Sequence, residues 1–238
     1  MKWYNIRAEN IRPVTVIIGG RGIGKSYSAL TFLDEQKKKY IYLRNTDVQL
    51  KECLTDFGNP FKRWNYDHGR NIELRTEGKH CLIQEDGETL GYAVALSTFK
   101  NLRSVDLSDV EYVLFEEFIE KDRLRFDQFS AFSHFYETVN RNRELLGEPP
   151  LKCILLSNAQ KLDNPILAGY GFISKIEQMM KNGRRIEKTK EYCIELPQSE
   201  VSEAKRDTAL YKLTAGSRYA KEALDNEFAN DSFFGIGK

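Results

Sequence analysis

No apolar run in the 238 residues approaches the roughly 20 positions that a helix needs to cross a bilayer. The first residues, Met1-Lys2-Trp3-Tyr4-Asn5, have neither the charged nor the apolar region of a signal peptide. Cysteine is scarce: Cys53, Cys81, Cys153 and Cys193 stand 28, 72 and 40 positions apart, too far for a zinc knuckle or a redox pair. A reducing, cytosolic compartment follows, with Cys153 and Cys193 packed as small hydrophobes inside apolar runs. The three histidines, His68, His80 and His134, are scattered and take no metal-ligand role. Net charge is also missing. Against 36 Lys+Arg stand 35 Asp+Glu, a formal +1 that gives no global pull toward nucleic acid or an anionic membrane. There is no internal repeat or low-complexity segment. With 41% hydrophobic and 30% charged residues, disorder and collagen-like repeats are excluded. At about 150 residues per domain the length suits roughly one and a half domains.

What the chain does contain is an alternation of strand and helix signals. Val14-Thr15-Val16-Ile17-Ile18 is apolar on both faces, as in a buried parallel strand. A helix is expected over 25–39, with an Ala29, Leu30, Phe32, Leu33 stripe and Lys37-Lys38-Lys39 at its C-terminus. Tyr40-Ile41-Tyr42-Leu43-Arg44 is the next strand, and this strand–helix–strand unit implies a parallel sheet. Residues 46–58 read as a helix ending near Gly58-Asn59-Pro60, and 71–97 as a β meander on the sheet edge or over one end. Two more core strands are expected, at 111–115 and 151–156. Between them lies a helix with Phe126, Phe129, Phe132, Phe135 and Val139 as a core stripe. Beyond Pro197 the chain turns polar and helix-like over 199–230, so a domain of residues 1–197 and a small helical subdomain of 198–238 are expected.

Gly19-Gly20-Arg21-Gly22-Ile23-Gly24-Lys25-Ser26 fulfils G-x-x-x-x-G-K-[ST], a pattern that chance places in about one chain per hundred of this length. It follows a strand and opens a helix, the context its chemistry requires. Its glycines let backbone N–H groups converge on phosphates at a helix N-terminus. Lys25 would reach the β- and γ-phosphates and the Ser26 hydroxyl would ligate Mg²⁺. ATP and Mg²⁺ are therefore the expected cofactors.

Val113-Leu114-Phe115 ends in Glu116-Glu117, two acids at a strand's C-terminal end, where open α/β sheets bind ligands. Successive strand residues point to opposite sides. Glu116 is thus read as the metal-side acid and Glu117 as the base that orients the attacking water. Arg141 and Arg143 follow the Phe stripe. On an ideal helix Arg141 stands about 200° from Val139, away from the core, and Arg143 about 40° from it. An exposed helix arginine and an arginine supplied in trans to a neighbour's nucleotide both fit Arg141. Leu155-Leu156-Ser157-Asn158 ends the fourth strand, and Asn158 suits either a bond to lytic water or γ-phosphate or the cap of a turn. Residues 181–190 hold five basic residues and one acid, fitting a phosphate-backbone contact or a solvated strand edge.

Taken together, five separated motifs resemble the genome-packaging ATPases of phi29-like tailed phages, relatives of the large terminase motors. They are Val16 through Tyr27, Phe115-Glu116-Glu117-Phe118-Ile119, Arg141-Asn142-Arg143-Glu144, Leu156-Ser157-Asn158-Ala159 and Leu224-Asp225-Asn226-Glu227-Phe228. The resemblance implies an α/β P-loop NTPase fold of the ASCE type, a mostly parallel twisted sheet flanked by helices, with the C-terminal helices as a lid or linker. It implies a nucleotide site from Gly19 through Tyr27, with Tyr27 the last residue of the motif. Arg141 matches the family's arginine finger. Arg103 sits where the family has a second trans-acting basic residue, usually Lys, and Asn158 fits the motif coupling hydrolysis to motion. Glu116 stands where the family has Asp. The implied partners are double-stranded DNA, further copies of the chain in a ring that is usually pentameric, the portal of a procapsid and a packaging RNA, with no membrane. The implied location is the host cytoplasm, with transient attachment to the procapsid. The family continues into a nuclease-like domain, which is expected to begin where this chain ends. Besides a DNA-translocating ATPase, a small-molecule or nucleotide kinase and a non-catalytic nucleotide switch remain compatible with the residues.

Overall fold

The computed structural model describes residues 1–102, 106–120, 122, 124–159, 161–220 and 223–224. In chain order the elements are β1 (Val14–Gly19), α1 (Lys25–Gln36), β2 (Lys39–Arg44), α2 (Asp47–Cys53), α3 (Lys62–His68), β3 (Ile72–Glu77), β4 (His80–Glu85) and β5 (Glu88–Ala95). Then come β6 (Val110–Glu116), α4 (Gln128–Asn140), β7 (Lys152–Asn158), α5 (Pro165–Gly169), α6 (Phe172–Lys181), β8 (Ile186–Lys188), β9 (Tyr192–Glu195), α7 (Glu200–Lys205) and α8 (Ala209–Leu213). The strands form one sheet in the order β3-β4-β5-β2-β6-β7-β1-β9-β8. From β5 to β9 every pairing is parallel, while β3, β4 and β8 run antiparallel at the edges. The expected meander is there, and it extends the sheet because β5 pairs with β2 along five residues.

The continuous apolar runs of the central strands make sense because both faces are covered. Val16, Ile18, Val113, Phe115, Cys153 and Leu155 pack with Phe132, Phe135 and Val139 of α4 and Ile176 of α6. Their alternating neighbours Ile17, Tyr42, Leu114, Ile154 and Leu156 pack with Leu30 and Leu33 of α1 and Trp64 of α3. This period-two division of each strand between two helical layers is the pattern of a doubly covered parallel sheet. Cys153 and Cys193 lie fully buried, as their apolar neighbours suggest.

Local chemistry moves several boundaries. α1 stops at Gln36, because Lys37 turns left-handed (φ 54°) and its N–H closes on the Asp34 carbonyl. Lys39 then opens β2 instead of ending the helix. The helix expected over 46–58 stops at Cys53; Thr46 and Gln49 cap its start reciprocally, and α3 follows as a separate helix. α4 begins only at Gln128, since the Asp127 carboxylate accepts the Ser130 N–H, so Phe126 lies ahead of the helix. The basic stretch runs off the end of α6, turns at Gly183 and becomes the edge strand β8, with Arg184 and Arg185 exposed. No described helix is long and apolar enough to cross a membrane. Arg103, residues 225–228 and the last residues to 238 lie outside the described residues.

Candidate functional site

The apolar residues of β1 deliver Gly19 to the C-terminal edge of the sheet, and α1 starts six residues later. Gly22 and Gly24 take φ of 64° and 99°, left-handed conformations in which a side chain is strained. The turn they create aims the free N–H groups of the first helical turn into the loop, a ready cradle for anions. Lys25 folds back over it. Its Nζ donates to the carbonyls of Gly19 (2.9 Å) and Gly20 (2.7 Å) and to Asn158 Oδ1 (3.1 Å). Burial pushes this amine down to about 8; Glu116 pulls it back up, while Lys205 and Arg21 add to the depression.

Arg21, Lys25, Ser26, Tyr27, Glu116, Glu117 and Asn158 all line one cleft of about 330 Å³. The strand order explains the convergence. β7 lies between β1 and β6, with Gly19 level with Asn158 and Glu116 level with Leu156, so three strand ends open on the same crevice. Asn158 is thereby tied to Lys25. A larger groove of about 780 Å³ between α2 and the β4–β5 hairpin brings none of these groups together.

The two acids do not alternate across a strand as expected. Glu116 ends β6, and Glu117 turns into a left-handed conformation, φ 52°, that brings both carboxylates into the cleft. That backbone costs about 1–2 kcal/mol for a residue with a side chain. A buried amide network holds it. Asn45 Nδ2 donates to the Glu117 carbonyl (3.1 Å) and to Glu120 (2.8 Å); Gln128 Nε2 donates to Asn45 Oδ1 (2.7 Å) and the Phe118 carbonyl (2.6 Å). Asn164 Nδ2 completes it by donating to Gln128 Oε1 (2.8 Å). Arg44, at the end of β2, binds Glu117 (2.7 Å) and stands 4.0 Å from Glu116, whose carboxylate also accepts the Tyr42 hydroxyl (2.5 Å). Tyr27 is held from the side, its hydroxyl 3.1 Å from His68 Nε2, and His68 stacks on Trp64.

Arg141 lies elsewhere. α4 starts beside Asn45 and Phe118 at the C-terminal ends of β2 and β6 and runs about 20 Å back. Its last residue, Asn140, accepts the Leu151 N–H just before β7, at the opposite end of the sheet. The helix ends there, so Arg141 is a left-handed cap (φ 45°) and not one more position on a helix face. Its guanidinium is partly exposed and pairs with Asp106 at 3.1 Å. Arg143 is buried and donates to the Ser108 and Val110 carbonyls, locking this corner to the start of β6.

The family model described as Podovirus DNA encapsidation protein (Gp16) matches residues 4–238. The chain belongs to this encapsidation family. It is 31% identical over 229 residues to the DNA packaging protein of Bacillus phage B103, a stretch that is 93% of this chain and 66% of that protein. The three curated relatives it matches are each spanned over 64% to 66% of their length, just under two-thirds. Among solved structures it is similar to the N-terminal domain of the DNA packaging ATPase from bacteriophage phi29, with TM-score 0.60, 27% identity and coverage of 79% of this chain and 92% of that one. The phi29 viral genome packaging motor assembly matches 95% of this chain and 67% of its own, with TM-score 0.61 and 25% identity.

Within this encapsidation-family chain, residues at the site without a motif are Tyr42, Arg44, Asn45, Gln128, Asn164 and Lys205. Arg44-Asn45 carried a readable signal, two polar residues closing an apolar strand, like Glu116-Glu117 and Ser157-Asn158. Gln128 and Asn164 carried none, since only the tertiary fold joins them. The segment after Pro197 also touches the loop. Pro197 packs on Gly19, the Ala223 carbonyl leaves no room for a side chain at Gly20, and Lys205 Nζ donates to the Arg21 carbonyl.

Proposed function

We propose that the chain is the ATPase part of a motor that uses Mg-ATP hydrolysis to package double-stranded viral DNA into a procapsid. In this reading it works as one subunit of a homomeric ring, a pentamer, docked on the portal with a packaging RNA, in the host cytoplasm. The observation that carries it is the convergence of the phosphate loop, Glu116, Glu117 and Asn158 in one cleft of an encapsidation-family chain. One strand between β1 and β6 supports an ASCE-type P-loop assignment. The phi29 relatives named as a packaging ATPase and a motor assembly support the rest.

Each residue has a role. The loop from Gly19 to Tyr27 cradles the phosphates, and Lys25 exchanges its two carbonyl partners for phosphate oxygens. The Ser26 hydroxyl and the Glu116 carboxylate line the same cleft, a pair of hard oxygen donors that fits Mg²⁺. Bound there, the ion would neutralise charge on the phosphates. Glu116 is one methylene longer than the Asp the family carries, and Tyr42 and Arg44 hold its carboxylate from behind. Glu117 acts as base toward water, and Asn158 links Lys25 to β7. Arg141 is about a helix length from its own loop, so it serves a neighbour's nucleotide. Arg103 is assigned the second trans-acting role, residues 1–197 the motor core and 198–238 the lid.

Measuring ATPase rate against protein concentration, with and without DNA, tests this. Specific activity should rise as subunits associate and rise again with DNA. A rate indifferent to both would sink the motor reading in favour of a kinase or a switch.

A further inference from the structure

The end of α7 places a cation on the rim of the phosphate loop. α7 is anchored by Val201 and Ser202, both buried, and by Glu200, which accepts the Lys2 backbone N–H at 2.9 Å. Its last residue is Lys205. That amine reaches back to the Arg21 carbonyl and lies 2.8 Å from the position a Cβ would take on Gly22. Among the described residues no carboxylate pairs with it: Glu203 is taken by Arg206, and Glu200 faces the N-terminus. Lys205, Arg21 and Lys25 thus form a cluster of three cations around a loop of backbone donors.

We propose that Lys205 is a phosphate-binding residue of the nucleotide site, supplied by the C-terminal segment, which leaves the Arg21 carbonyl to meet the terminal phosphates of a nucleoside triphosphate. A single carbonyl is a weak partner for an ammonium, and a phosphate oxygen is a charge-assisted one. Burial without an acid holds the Lys205 amine below the usual lysine range, a cost an anionic ligand would relieve. Its position selects which phosphate it meets. Arg21 and Gly22 form the tip of the loop, whereas Lys25 to Tyr27 form the helix start at its base. The flexible four-carbon stem needs only a local swing from carbonyl to phosphate.

This inference rests on the nucleotide reading above, and one titration separates the two. Fluorescent ATP and ADP analogues are titrated with Mg²⁺ into the full chain, into Lys205→Met and into Lys205→Arg, with Lys25→Ala as a control. Lys205→Met should weaken the triphosphate about tenfold and the diphosphate less than about threefold, and Lys205→Arg should stay within about twofold of wild type. Melting of the nucleotide-free variants should match wild type. Equal losses for both nucleotides, or a lowered melting temperature without nucleotide, would make Lys205 a strut of the loop and overturn the proposal. Unchanged triphosphate affinity in Lys205→Met overturns it as well, while leaving the nucleotide reading intact if Lys25→Ala abolishes binding. A wild-type chain that binds neither nucleotide overturns both.

Discussion

The two ends of the sheet carry opposite kinds of chemistry. At the C-terminal ends of β1, β6 and β7, Lys25, Glu116, Glu117 and Asn158 turn inward to one cleft and bond to one another or to Arg44. At the other end Arg141 caps α4 and pairs with an exposed acid, Asp106. Both places use left-handed residues that are not glycine: Glu117 at one end, Arg141 and Asn142 at the other. At the inward end a fully bonded amide network supports the strained residue, which gives a site nearly complete within one chain. At the outward end the buried Arg143 fixes the corner that carries Arg141, which the proposed function makes the other half of a site. If Arg141 acts on a nucleotide, as proposed above, it has to be one held by another copy of the chain.

The strongest way to break this comparison is to disable each half separately. Lys25→Ala and Arg141→Ala should each abolish DNA-stimulated turnover in assembled protein. An equimolar mixture should recover activity, up to about a quarter of wild type by random pairing of neighbours in a ring. Only the Arg141→Ala subunits then hold intact loops and only the Lys25→Ala subunits offer fingers. A mixture as inactive as its components would mean that Arg141 acts within its own chain or merely holds structure. Glu117→Gln gives the companion result, with turnover lost and nucleotide affinity within about threefold.

Stability should separate the ends next. Gln128→Leu removes the amide that satisfies Asn45 Oδ1 and the Phe118 carbonyl, all buried. Urea unfolding should show a loss of roughly 2–4 kcal/mol. At the opposite corner Asn142→Gly relieves a left-handed backbone at φ 58° and should change stability by no more than about 1 kcal/mol, in the favourable direction. Similar losses at the two corners would mean that strain at Glu117 has no special support.

Much of this contrast was legible along the chain, and the limits are physical. Strand ends were visible because a buried parallel strand is apolar throughout and stops abruptly at polar residues, as at Phe115-Glu116 and Leu156-Ser157. The tight turn between β1 and α1 was visible because its left-handed positions, Gly22 and Gly24, favour glycine. The left-handed turn at Glu117 was hidden, since it is imposed by amides of Asn45, Gln128 and Asn164, three positions unrelated by any period. The direction of Arg141 was half visible: a helical wheel put it outward, but the helix ends one residue before it, and α4's course across the sheet sets which end it faces. Near-zero net charge, which gave no reason to expect a DNA partner, is a property of the whole surface and does not report the arrangement of cations around one loop.

Acidity offers a gentler probe of the inward end. Lys25 titrates near 8 in the folded chain and near 10.5 when unfolded. Between those values the unfolded chain binds more protons, so nucleotide-free stability from this group rises as pH climbs from about 8 to 10.5. In the proposed function a bound triphosphate needs the ammonium, so nucleotide affinity should fall as pH rises above about 8, with proton uptake on binding. Melting curves and calorimetry in two buffers of different ionisation enthalpy measure both, and Lys25→Met should flatten each dependence.

The smallest expected effect concerns the basic edge, which belongs to neither end. Arg184 and Arg185 stand exposed between α6 and β8, beside a turn at Gly183, and β8 pairs on one side only. If that edge touches a phosphate backbone, Arg184→Glu with Arg185→Glu should lower DNA-stimulated turnover and reduce its salt sensitivity, while basal turnover stays put. Two solvated arginines on a strand edge would change neither, and stability should move by under about 0.5 kcal/mol in either case. An unchanged salt slope would make that edge a solvated surface with no part in any DNA contact.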